Sequence, residues 1–150
     1  MRFVQLLLLS TTLGCDTGRL DVPLQQGQGP LAKNLRVSLS ASPDRLGAGV
    51  GWSVTITNVG AAQVDDLTMI FDEQWAAPLQ ELRGFPPAGT KWDAAPGCLP
   101  AGASLVVFSN HDVTNHHLLR NAAVTPYPSD HVPRTVGLKS ADSRGLWRVR

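Results

Sequence analysis

Strict alternation of apolar and polar residues between turn signals is the feature that most restricts what this chain can fold into. Leu35, Val37, Leu39 and Ala41 alternate with Arg36, Ser38 and Ser40, and the run stops at Ser42-Pro43-Asp44. Trp52, Val54 and Ile56 alternate in the same way with Ser53, Thr55 and Thr57, ahead of a turn at Asn58-Val59-Gly60. Leu67, Met69 and Phe71 fall on one face of a third run, with Thr68 and Ile70 on the other. A period of two puts successive side chains on opposite faces of an extended backbone, so each run is a strand with one face to bury. Further strands are predicted at 103–109, 118–125, 136–140 and 146–149. About seven short strands, 14 glycines, 11 prolines and no sustained 3.6-residue period predict an all-β Greek-key sandwich over residues 35–150.

The stretch 72–102 interrupts this rhythm. Its Pro and Gly punctuation predicts an irregular edge with short strands, with Trp75, Leu79, Leu82, Phe85 and Trp92 packing over one end of the core. Trp52 sits in phase with Val54 and Ile56 and is expected inside the core. Trp75 and Trp92 lie outside any strand pattern; they are candidate anchors for a partner, weighed against a packing role in the lid. Trp147, near the end of the last strand, is expected to be half buried.

The N-terminus reads as a processing segment. Arg2 supplies a short positive region, Phe3 to Leu9 is apolar apart from Gln5, and Ser10 to Gly14 is small and weakly polar before Cys15. Such a run is too short to span a bilayer permanently. Thr12-Leu13-Gly14-Cys15 resembles the bacterial lipobox, with Leu13 one position nearer the Cys than is usual. The resemblance implies removal of residues 1–14 and lipidation of Cys15, which places the mature chain in the cell envelope, held at a membrane by acyl chains. The other reading is cleavage at a small residue, leaving a soluble secreted domain. Residues 15–34 carry Gly18, Pro23, Gly27, Gly29 and Pro30 without periodicity, and predict a flexible tether.

Three segments in order resemble one family. Trp52 to Gly60 followed by Ala61 to Met69 looks like its Val/Ile/Thr strand closed by Asn-x-Gly. Cys98 to Val107 looks like its turn-then-strand element, and Arg120-Asn121-Ala122-Ala123-Val124-Thr125 with Ser129-Asp130 resembles the strand before its final hairpin. The family is the conserved repeat domain of bacterial envelope proteins, the domain of unknown function numbered eleven, with its relative, the cell-adhesion-related bacterial domain. The resemblance implies an immunoglobulin-like sandwich with a structural or adhesive role, no catalytic residues, and another envelope protein as partner.

Charge excludes one class of partner. The chain has 13 Lys and Arg against 12 Asp and Glu, and Arg2 would leave with the leader, so no basic footprint for nucleic acid exists. His111, His116 and His117, with Asp112 nearby, are weak candidates for a metal site, because their spacing is not that of a known ligand set and a strand-connecting loop is an ordinary place for solvated polar residues. No Ser lies in a Gly-x-Ser-x-Gly elbow and nothing around Cys98 marks a nucleophile, so no enzyme and no cofactor are predicted. Cys98 is expected to be a small buried hydrophobe beside Leu99; if Cys15 is not acylated, a bond between the two becomes open. An accessory lipoprotein of a secretion or motility assembly is the alternative function, and a metal-binding or hydrolytic envelope protein stands behind it.

Overall fold

The computed structural model describes residues 20–43, 50–79, 97–109, 122–124 and 131–150. Nine strands run in chain order: β1 (Leu20–Val22), β2 (Leu35–Pro43), β3 (Val50–Asn58), β4 (Thr68–Phe71), β5 (Trp75–Pro78), β6 (Ser104–Phe108), β7 (Ala122–Val124), β8 (Thr135–Ser140) and β9 (Ser143–Arg148). They form two sheets, one ordered β1-β2-β3-β6-β7 and the other β5-β4-β8-β9. All pairs are antiparallel except β6 with β7. The hairpins β2-β3, β4-β5 and β8-β9 stay within a sheet, whereas the chain changes sheet between β3 and β4, between β5 and β6 and between β7 and β8. With short β1 and β7 set aside, three strands face four, which is an immunoglobulin-like sandwich.

The alternating residues meet between the sheets. Leu35, Val37 and Leu39 from β2, Trp52, Val54 and Ile56 from β3, and Leu105 and Val107 from β6 form one wall. Met69 and Phe71 from β4, Ala77 from β5, Val136 and Leu138 from β8, and Trp147 from β9 form the other. Trp52 and Phe71 join the two walls edge to face, with ring centroids 5.0 Å apart and planes at 63°. Burying an aromatic of this size contributes about 3 kcal/mol, and the edge-to-face contact adds about 1 kcal/mol. The predicted strands hold among the described residues, with boundaries shifted by a few residues; of the strand expected at 118–125, only Ala122–Val124 lies within them. β5 is one of the short strands expected within the irregular edge. The last strand begins at Ser143 instead of residue 146, and Trp147 is fully inside the core at 5% exposure rather than half buried.

The segment 20–34 departs most from the composition-based reading of residues 15–34 as a tether. Leu20, Asp21 and Val22 pair with Ala41, Ser40 and Leu39 on the edge of the first sheet. The chain then crosses to the other sheet, where Leu24 and Gln28 bridge to Val149 and Leu146 of the β9 edge. A short 3-10 turn at Pro30–Lys33 buries Leu31 before β2 begins. This strap closes one side of the sandwich and covers an edge of each sheet, which removes two templates for unwanted strand pairing. Gly27 and Gly145 are there because the Trp147 indole lies against both backbones: a Cβ on Gly145 would stand 2.8 Å from Cη2 of the ring. Glycine signals read as flexibility thus mark close approach.

One pole of the sandwich is organised around Asn58, where β3 ends. The side chain is fully buried; its Nδ2 donates to the carbonyls of Ala62 and Leu99 at 2.8 and 2.9 Å, and its Oδ1 accepts from the Gly60 amide at 2.9 Å. The Asn-x-Gly signal read from sequence is therefore a turn and a tertiary pin at once.

Candidate functional site

The two outward faces differ in chemistry. On the first sheet, Ser40 pairs its hydroxyl with Ser53 at 2.9 Å and Thr57 with Ser104 at 2.8 Å, so cross-strand hydroxyls satisfy one another. On the second sheet, register sets Ala76, Ile70, Gly137 and Leu146 directly opposite one another across β5, β4, β8 and β9, and Gln28 of the strap bridges to Leu146. Ile70 and Leu146 are half buried and nothing but backbone lies between them at Gly137. The result is an open groove of about 390 Å³, bordered also by Glu73, Arg144 and the backbone of Gly29.

Charge frames the apolar row at both ends. At one end Lys139 of β8 stands directly opposite Arg144 of β9, a like-charged cross-strand pair, and neither makes an ion pair within the described residues. At the other end Arg148 Nη1 lies 3.5 Å from Glu73 Oε2, with both side chains substantially exposed. Asp72 and Glu73 form the β4-β5 turn with φ of 53° and 58°, the left-handed region that L side chains enter at a cost of about 1 kcal/mol each. The turn is closed by the Gln74 amide donating to the Phe71 carbonyl at 3.0 Å. It is pinned from below by Asp72, whose Oδ1 accepts from the Arg134 amide at 2.7 Å and whose Oδ2 lies 3.1 Å from His131 Nε2.

Of the residues singled out from sequence, Trp75 is described. It stacks on Phe71 at 5.8 Å with planes 28° apart, half buried on the core-facing side of β5, away from the groove. Cys15, Trp92, His111, His116 and His117 lie outside the described residues. Among the described residues no three His, Cys, Asp or Glu side chains cluster as metal ligands, and no helix is long and apolar enough to cross a membrane.

No family model, curated protein or solved structure matches this chain.

Cys98 is buried at the Asn58 pole, at 3% exposure, as expected from sequence. Burial pushes its thiol above the ordinary range, and a hydrogen bond with Asp65 adds to that shift. Asp65 in turn is held below the usual carboxylate range, first by Gln63, whose Nε2 donates to Oδ1 at 2.7 Å, and then by the thiol. This arrangement keeps Cys98 protonated and unsuited to nucleophilic work at neutral pH.

The groove residues Ile70, Gly137, Arg144 and Leu146 were not legible as a site in the sequence. One signal does exist: Gly137 interrupts an otherwise regular strand, and a glycine inside a strand marks a bulge or the close approach of another group.

Proposed function

We propose that this chain is a lipid-anchored protein of the cell envelope whose β-sandwich serves as a non-enzymatic interaction or structural module. The observation that carries the reading is the N-terminal pattern, an apolar leader followed by Gly14-Cys15. Acylation of Cys15 would supply the anchor, and more than one chain gives stable attachment where a single one does not. The sandwich supports the module half of the reading: its edges at β2 and β9 are covered by the strap, so it offers faces and end loops to a partner.

Anchoring on this reading has a geometric consequence. β1 begins at Leu20, five residues beyond Cys15, and five residues reach at most about 17 Å. The pole carrying Leu20, the Asp72-Glu73 turn and the C-terminal Arg150 then faces the membrane. The Asn58 pole, with exposed Val59, points away from it. Trp92 remains the aromatic candidate for partner contact, with another envelope protein as the partner, whereas Trp75 packs against Phe71 and the core.

The test is intact-mass analysis of membrane and soluble fractions from cells producing the wild-type chain or Cys15→Ser. A mature chain starting at Cys15 with added acyl mass, released into the soluble fraction by the substitution, supports the anchor. A soluble wild-type chain with an unmodified Cys15 refutes it.

A further inference from the structure

Among the described residues two large apolar side chains stand exposed, Leu20 at 66% and Val59 at 48%, one at each pole of the sandwich. Leu20 opens β1 opposite Ala41, so strand parity puts it on the core-facing side with Val22, and its exposure shows that the core ends short of it. The strap and the end of β9 complete the same corner. The Arg150 amide donates to the Pro23 carbonyl at 3.1 Å, the Val149 amide donates to the Arg134 carbonyl at 2.9 Å, and Leu24 bridges to Val149. Exposed Pro23 with half-buried Leu24 and Val149 therefore extends the apolar surface from Leu20, and exposed Arg134 and Arg150 flank it. Neither of these two guanidinium groups is engaged by another side chain among the described residues, whereas Glu73 is tied to Arg148, and Asp72 to His131 and the Arg134 amide.

We propose that this corner is a second membrane contact, with Leu20 entering the boundary between lipid headgroups and acyl chains while Arg134 and Arg150 hydrogen-bond lipid phosphates around it. The inference rests on the reading of Cys15 as an acylated anchor and deepens it by naming the surface that lies on the lipid. Tether length selects the occupant. Leu20 is five residues beyond Cys15, a reach of at most about 17 Å, so an acylated Cys15 keeps the corner next to the bilayer at high effective concentration. The translational cost of association has then been met by the acyl chains, and a contact too small to recruit a free protein is large enough to orient a tethered one. Arginine suits the rim because its apolar stem can lie along the acyl boundary while the planar guanidinium stays with the phosphates. Net charge plays little part: Asp21, Asp72 and Glu73 balance Arg134, Arg148 and Arg150 at this end, so the contact depends on the apolar surface and not on an anionic membrane. Val59 follows β3, whose 9 residues separate it from this pole, and serves as the reference position.

The experiment uses the acylated full chain purified from membranes and reconstituted in phosphatidylcholine vesicles, with a nitrobenzoxadiazole probe attached at Leu20→Cys or, for reference, at Val59→Cys; buried Cys98 takes no label in the folded chain. A phospholipid carrying a nitroxide high on its acyl chain is expected to quench the Leu20 probe about twofold or more and to leave the Val59 probe unchanged, at low and high salt alike. Because that probe is itself apolar, a second measurement keeps the native side chain: the rotational correlation time of the Val59 probe should shorten about twofold when Leu20→Asp is added and stay unchanged with Leu20→Met. An unchanged urea midpoint in detergent shows that Leu20→Asp is folded. Equal responses at the two probe positions, quenching lost in high salt, or a correlation time indifferent to Leu20→Asp overturns the proposal. Flotation and intact mass separate it from the anchor. A chain that neither floats with vesicles nor carries acyl mass on Cys15 refutes the anchor and the corner contact together; an acylated, floating chain whose Leu20 probe is not quenched refutes the corner contact alone.

Discussion

Replacing Gly27 by Ala separates a strap from a tether by the sign of its effect. In a flexible linker the substitution is neutral or slightly stabilising, by about 0.4–1 kcal/mol, because alanine narrows the unfolded ensemble. In the fold described above, the added Cβ falls within the Trp147 indole, 2.7 Å from Cε2 and well inside contact with Nε1, and 2.9 Å from the Ala32 Cβ. Neither neighbour can yield easily: Trp147 is wedged against Gly145 and Leu31, and Ala32 belongs to the 3-10 turn that leads into β2. Overpacking of this kind costs about 1–3 kcal/mol. With a urea dependence of about 2 kcal/mol per molar, a cost near 2 kcal/mol lowers the unfolding midpoint by about 1 M. The assay is urea unfolding of the wild-type chain and Gly27→Ala, followed in parallel by tryptophan fluorescence and far-ultraviolet circular dichroism, with the slope unchanged between the two. A midpoint that stays put or rises would refute the packing argument and return residues 20–34 to the status of linker.

Three further outcomes are expected. Asn58→Ala removes three hydrogen bonds, one buried and two partly buried, and leaves the Leu99 carbonyl with the Val64 amide as its remaining donor, a loss of about 3 kcal/mol that calorimetry reads directly; a loss under 1 kcal/mol would contradict the pin. Glu73→Gly relieves a left-handed backbone worth about 1 kcal/mol and gives up only an exposed ion pair worth a few tenths, so its thermal midpoint should rise, and a fall would show that the Arg148 contact matters more than its exposure suggests. Cys98 should resist Ellman's reagent at pH 8 until denaturant is added, with peptide mapping locating the label. Because the folded thiol holds its proton to a higher pH than the unfolded one, its contribution to stability is complete below the ordinary thiol range and is lost as pH rises through the folded value. Rapid labelling of the native chain would contradict this burial.

Local pattern and tertiary contact divided the information in this chain unevenly. The alternation in Leu35–Ala41 and Trp52–Thr57 determined two long strands and their buried faces, because a residue's side of a strand depends only on its parity. The Asn58-Val59-Gly60 signal fixed a turn, since its hydrogen bond from Gly60 to Asn58 spans two residues. What such patterns could not reveal is the strap: its pairings at Leu20, Leu24 and Gln28 are intermittent and reach partners at Ala41, Val149 and Leu146, so no local period records them. Gly27 looks the same in sequence whether it loosens a linker or admits an indole, and only the position of Trp147 decides between the two. The groove has the same origin. Ile70, Gly137, Leu146 and Gln28 become neighbours through strand register across four separate segments, and register is a property of paired strands that no single strand carries.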